Sequence, residues 1–165
     1  MSSRPLVAVL IGLCLLGLDF TSKLAARILL EPGVPHAIVP GLNITLVHNP
    51  GISFGLMPAS TDLGYGILLL FHAALTAGVA IYAWSQRDSL EFWPLLLVLF
   101  GGLGNLMDRL LHGTVTDFLD AYIGAYHWPA FNLADVSITL GAAGVIAFGT
   151  GLVGKVRSTI KGVVL

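Results

Sequence analysis

Two stretches of the chain, 63–84 and 136–154, pass without a single Asp, Glu, Lys or Arg. Crossing about 30 Å of hydrocarbon takes roughly 20 apolar residues in a helix, the open-chain form that satisfies every backbone N–H and C=O without water. Both stretches come up to that length. A third, Phe92 to Met107, continues into Leu110-Leu111 and carries Pro94 in its first turn, where a missing N–H costs little. A fourth, Pro5 to Leu18, is long enough only when extended to Ala26. That extension brings in Asp19 and Lys23, one turn apart and able to pair on one helix face. With 56% hydrophobic and 10% charged residues and a mean hydropathy of +0.88, the chain has more apolar surface than a soluble core of its size can bury. It reads as one integral membrane domain, 1–165: all-α and polytopic, with four transmembrane helices at about 5–26, 63–84, 92–111 and 132–154.

Charge and cysteine content exclude several classes. A formal net charge of −1 supplies no basic field for nucleic acid. The single cysteine, Cys14, cannot form an intrachain disulfide or a cysteine cluster, and its apolar setting suits a packing role. Arg4 followed by Leu6 to Leu18 has the outline of a secretory signal, but no small-residue cleavage site follows, so the segment reads as an uncleaved first helix. Ile11-Gly12-Leu13-Cys14 lacks the small residue that a lipoprotein signal wants before its cysteine. His36, His48, His72, His112 and His127 are scattered without ligand-like spacing, which argues against zinc.

Four spans put both termini on one side. Arg4, Arg87, Lys155, Arg157 and Lys161 fall on that side, against Lys23, Arg27 and Arg109 opposite, so the positive-inside rule places the termini in the cytoplasm. Trp84 and Trp93 flank the short inner loop as an aromatic belt would. Asp19 and Lys23 then close the first helix, Asn105, Asp108 and Arg109 the third, Asp135 opens the fourth, and Asn49 and Asp117 lie in outer connections. The unusual polar residues therefore gather at the outer face. Of those connections, 36–57 reads as a β-rich extracytoplasmic cradle, with Ile44-Thr45-Leu46-Val47 as a strand and Pro40-Gly41 and Asn49-Pro50-Gly51 as turns. The other, 112–131, reads as an outer loop with Tyr122, Tyr126 and Trp128 at the interface.

Each polar group also has a plain structural reading. Asn132 with Asp135 three residues on fits a helix cap. Asn105, Asp108 and Arg109 share a helix face and fit a salt-bridge network closing a helix end, as do Asp19 and Lys23. Asp120 fits a solvated loop acid or cap. Asp117 fits none of these, because Thr114 to Leu119 is a β-prone apolar run with no base beside it. Ionisable groups at membrane depth mark relays, pathways or catalytic centres. Two carboxylates meeting over one substrate can divide the labour, one keeping its proton to polarise a carbonyl while the other takes a proton from water. Asn49, Asn105, Asn132 and Arg109 are the donors available to support such a pair.

Leu18-Asp19-Phe20-Thr21-Ser22-Lys23, Asn49 to Phe54, Gly102 to Arg109, Val115-Thr116-Asp117-Phe118 and Phe131-Asn132-Leu133-Ala134-Asp135 occur in the order that resembles bacterial lipoprotein signal peptidase, signal peptidase II. The likeness spans essentially the whole chain. It implies an intramembrane aspartic protease of the inner membrane with cytoplasmic termini and an outer-face site. Asp117 and Asp135 would be the catalytic dyad, with Asp19, Lys23, Asn49, Gly51, Asn105, Asp108, Arg109 and Asn132 shaping the site or binding substrate. The implied substrate is a diacylglyceryl-modified prolipoprotein, cut just before its lipidated cysteine, with its chains among membrane lipids between the helices and no metal or other cofactor. Phe20, Pro50 and Thr116 depart from the residues the family commonly carries, all outside the dyad. Two other readings of the outer carboxylates are a proton-coupled transporter, which would want acids or broken helices near the midplane, and a scaffold subunit whose polar groups only cap helices.

Overall fold

The computed structural model describes residues 4–51 and 61–150. Four helices are joined to a four-stranded antiparallel sheet: α1 (Arg4–Leu29), β1 (His36–Val39), β2 (Leu42–Asn49), α2 (Asp62–Ser85), α3 (Phe92–His112), β3 (Val115–Ile123), β4 (Tyr126–His127) and α4 (Leu133–Gly149). α1, α2 and α3 are long and apolar enough to cross a membrane, whereas α4 is a shorter apolar helix within the described residues. The predicted stretch 151–154 of the fourth span, residues 52–57 of the cradle, and Lys155, Arg157 and Lys161 lie outside those residues. Large apolar side chains stand on the surface of α1 and α2, among them Leu29, Leu63, Leu70 and Ile81, as a chain solvated by lipid tails requires.

α3 packs against each of the other three helices and is the organising element. Its contacts with α4 and α1 are close because small residues leave room: a Cβ on Gly101 would stand 2.5 Å from the Ala134 carbonyl of α4, and one on Gly104 the same distance from Asp19 Oδ2 of α1. Close approach through small residues is how helices gain dispersion energy where lipid offers no hydrophobic drive. A cluster of Ala8, Ala83, Phe92, Leu95 and Leu96 fills the end of the bundle remote from the sheet. A second, of Ala26, Leu46 and Phe118, glues the last turns of α1 to the sheet.

Three expectations change. α1 continues to Leu29, so Asp19 and Lys23 lie inside the helix rather than at its end. Cys14 is exposed on the helix surface instead of packed. The region 112–131 is no simple loop: β3 pairs with β2 and turns back through β4, giving the order β1-β2-β3-β4. The 36–39 and 42–49 strands form the hairpin expected of the cradle, with Gly41 at φ 91 in its turn, a conformation natural to glycine.

Candidate active site

Strand pairing positions the first carboxylate. β2 and β3 run antiparallel with Val47 opposite Asp117 and Asn49 opposite Val115, so Asn49 is the diagonal neighbour of Asp117 and reaches it. Asn49 Nδ2 donates to Asp117 Oδ2 at 3.0 Å, and Asn49 Oδ1 accepts from Gly51 N at 3.1 Å. Alternation along β3 sends Thr116 the other way, toward α1 and α3. There Arg27 Nε donates to Thr116 Oγ1 at 2.7 Å, and Thr116 N donates to Asp108 Oδ2 at 2.6 Å.

The second carboxylate is set by a helix start. Asn132 caps α4: its Oδ1 accepts from Asp135 N at 3.0 Å, and Asp135 Oδ2 accepts from Asn132 N at 3.1 Å, a reciprocal capping box. The cap predicted for Asn132 and Asp135 is therefore present. It does not exhaust them, because Asn132 Nδ2 also donates to Asp117 Oδ1 at 2.7 Å and to Asn105 Oδ1 at 3.1 Å.

Asn105 closes the chain between the carboxylates. Its Oδ1 also accepts from Lys23 Nζ at 2.8 Å, and an ammonium only donates. That leaves Asn105 Nδ2 facing Asp135 Oδ1, at 2.8 Å. Lys23 in turn pairs with Asp19 at 2.7 Å, and Asp19 Oδ1 accepts from Ala134 N at 3.0 Å, tying α1 to the start of α4. Each amide orientation is dictated by its neighbour, so Asp117, Asn132, Asn105 and Asp135 form one network with fixed donors.

Asp117 is 2% exposed. Burial, followed by the negative charge of Asp135, pushes its carboxyl up to about 6, against the pull of Asn49, Asn132 and Lys23. A carboxyl titrating there can hold or release a proton near neutrality. Two cavities, of about 430 and 320 Å³, share Asn49, Asp117, Asp135 and Ile138 in their walls. One extends along Trp128 to Phe131, the other between α2, α3 and α4 past Leu68 and Leu75. A chain crossing from one to the other passes both carboxylates.

Asp108 and Arg109 brace the site in different ways and on opposite sides of α3. Asp108 accepts from Arg27 at 3.4 Å and pairs with His112 Nδ1 at 2.8 Å. Arg109 Nη2 donates to the Gly51 carbonyl at 2.7 Å, and its Nη1 meets His72 Nδ1 at 2.8 Å. Tyr65 Oη donates to the Arg109 carbonyl at 2.7 Å. Arg27, Thr116, Tyr65 and His72 were not singled out in the sequence as site residues. His72 alone carried a signal, being an ionisable residue inside a long apolar run. Asp120 corrects an expectation: it is 7% exposed, opposite Asn43 in the sheet, and accepts from Asn43 Nδ2 at 2.9 Å while His127 Nδ1 lies at 2.8 Å. It is a buried acid of the sheet, not a solvated one. Asn43 is buried with it.

Comparison with known proteins gives this geometry a family. Residues 11–150 match the family described as signal peptidase (SPase) II. The lipoprotein signal peptidase of Syntrophus aciditrophicus is 40% identical over 145 residues, covering 84% of this chain and 89% of that protein. The lipoprotein signal peptidase of Sulfurihydrogenibium sp. is 38% identical over 154 residues, covering 90% and 93%. A bacterial membrane enzyme solved by the in meso method at 2.3 Å superposes with a TM-score of 0.74 at 27% identity, over 90% of this chain and 91% of that one. The chain belongs to the signal peptidase II family of peptidases.

Proposed function

We propose that the chain is an aspartic endopeptidase that removes signal peptides from diacylglyceryl-modified prolipoproteins, cutting just before the lipidated cysteine, with Asp117 and Asp135 as the dyad that activates water. One observation carries the reading: both carboxylates hang on a single amide network, Asn49, Asn132 and Asn105, where two cavities meet. In the working state the pair holds one proton between two like charges. The ionised member takes a proton from water as the water oxygen bonds to the scissile carbonyl carbon. The protonated member gives its proton to the carbonyl oxygen. Collapse of the tetrahedral intermediate breaks the C–N bond while a hydroxyl proton returns to the second carboxylate and the proton taken from water goes to the leaving amine. No covalent acyl-enzyme forms.

The remaining residues hold this pair. Lys23 supplies a positive charge that favours the ionised form of both carboxylates and reaches them through Asn105, and Asp19 fixes Lys23. Gly51 and Arg109 set the position of Asn49, and Asp108 sets the backbone at Thr116. The four helices span the bilayer of a bacterial inner membrane with cytoplasmic termini, the sheet and the dyad lying at the outer face where apolar walls receive the lipid's chains. Replacing Asp117 or Asp135 by Asn is expected to abolish release of the signal peptide from a lipidated precursor while the protein stays in the membrane. Full cleavage by either variant would sink the assignment.

A further inference from the structure

His72 projects from α2 into the cavity of about 320 Å³ whose wall also holds Asp117 and Asp135. It is the one ionisable residue between Asp62 and the end of α2 apart from two tyrosines, so lipid-phase solvation alone gives no reason for it. Its contact is specific. Arg109 Nη1 lies 2.8 Å from His72 Nδ1, and a guanidinium can only donate. Nδ1 must therefore accept, which places the proton of the neutral ring on Nε2, and the Gly102 carbonyl lies near the ring as a looser acceptor.

What Arg109 does with its other arm makes this contact matter. Nη2 donates to the Gly51 carbonyl at 2.7 Å. Gly51 N donates to Asn49 Oδ1 at 3.1 Å, and Asn49 Nδ2 donates to Asp117 Oδ2 at 3.0 Å. Arg109 is 5% exposed, and its Nε is the buried side-chain polar atom left without a partner among the described residues. With Nε unpartnered, the two Nη contacts are what aim the guanidinium. Losing the His72 acceptor would leave a second buried donor of a charged group unpaired, a costly state that the side chain escapes by turning away from Gly51.

Resting on the reading of Asp117 and Asp135 as the working pair, we propose that His72 is a positioning residue of the reaction: as a neutral acceptor it fixes Arg109 so that Gly51 presents Asn49 to Asp117. It touches neither carboxylate.

Two polar substitutions of similar size separate this from a merely structural role. His72→Asn puts an amide oxygen where Nδ1 stands, and His72→Gln puts its amide where Nε2 stands. Both are assayed on a diacylglyceryl-modified precursor in detergent, together with Asn49→Ala, the double variant H72Q/N49A, and the Asn variants of Asp117 and Asp135. H72Q is expected to lower kcat by about tenfold to a hundredfold, the effect of losing one hydrogen bond to a charged group, with KM within about twofold. H72N is expected to restore most of that loss. Because Asn49 holds the Asp117 carboxyl down, H72Q and N49A should both move the alkaline limb of the kcat profile upward. Asp135 on α4, Lys23 on α1 and Arg109 on α3 also face that carboxyl, and none of them is substituted in these variants. In N49A, adding H72Q should cost nothing further. Equal rates for H72N and H72Q, an unmoved limb, or additive losses in the double variant would overturn the proposal. Inactive aspartate variants beside an unimpaired H72Q would remove His72 alone, whereas cleavage by those variants would remove the reading of the pair.

Discussion

Asn132 is completely buried and does two jobs that a single substitution can split. As N-cap of α4 its Oδ1 accepts from Asp135 N, and its Nδ2 donates to Asp117 Oδ1 at 2.7 Å and Asn105 Oδ1 at 3.1 Å. Serine caps a helix about as well as asparagine, but it is too short to reach Asp117 and Asn105 as well. Asn132→Ser therefore keeps the cap and loses the donation, while Asn132→Ala loses both. The cap contributes about 1 kcal/mol, so N132S should melt roughly 2–4 °C above N132A in the same detergent. Donation to an ionised carboxylate is a stronger bond, about 1.5–3 kcal/mol. If it steadies the pair during the reaction, both variants should cleave a lipidated precursor about tenfold to a hundredfold more slowly in kcat. Removing it also takes away one of the contacts that hold the Asp117 carboxyl down, so the alkaline limb of the pH profile should rise by about one unit or more. Calorimetry or a thiol-free dye melt gives the stability, and a gel-shift cleavage assay across pH gives the rest. Wild-type turnover by N132S, or losses of activity that follow melting temperature, would refute the division of roles.

Lys23→Ala leaves Asp19 buried without its cation, an uncompensated charge worth about 3–5 kcal/mol, and is expected to yield little folded protein. Adding Asp19→Leu to Lys23→Met should restore much of the melting temperature without restoring cleavage. Gly104→Ala places a methyl 2.5 Å from Asp19 Oδ2, and should lower the melting temperature by an amount matching an overpacking cost of about 1–3 kcal/mol. Asp117, with its carboxyl raised from 3.8 to about 6, favours the folded state in its protonated form. Stability should therefore fall as pH rises from about 4 to about 6 and then level, and that slope should be smaller in Asp117→Asn. Asp120→Asn, remote from the dyad in the sheet, should lower stability while leaving the cleavage rate within about twofold.

The helices were legible because charge-free apolar runs are read locally, and so was the Asp19–Lys23 pair, a contact within one turn. Asp135 was legible twice, as a cap and as an acid at a helix mouth, and the capping box shows why the plain reading was sound as far as it went. Asp117 stood out because its strand offered no partner. Its partners, Asn49 and Asn132, come from another strand and from the start of α4, where no local pattern announces them. The pairing of β3 with β2 is likewise long-range, which is why 112–131 looked like a loop and Asp120 like a solvated acid. Asp108 and Arg109 were expected to serve one network and instead face apart, because adjacent positions on a helix point about 100° from each other. The histidine spacing spoke only against zinc, and the contact of His72 with Arg109 comes from α2 packing against α3.

Single-turnover cleavage of a diacylglyceryl-modified precursor by Asp117→Asn, Asp135→Asn and the double variant, each verified as folded by circular dichroism, tests the claim that the two carboxylates act as one unit. Groups that work as a unit lose nearly everything with the first removal. Each single variant should fall by about 10⁴-fold or more, and the double variant should be no slower than the slower single one. Cleavage by either single variant within about tenfold of wild type, or losses that add in the double, would contradict the shared-proton pair.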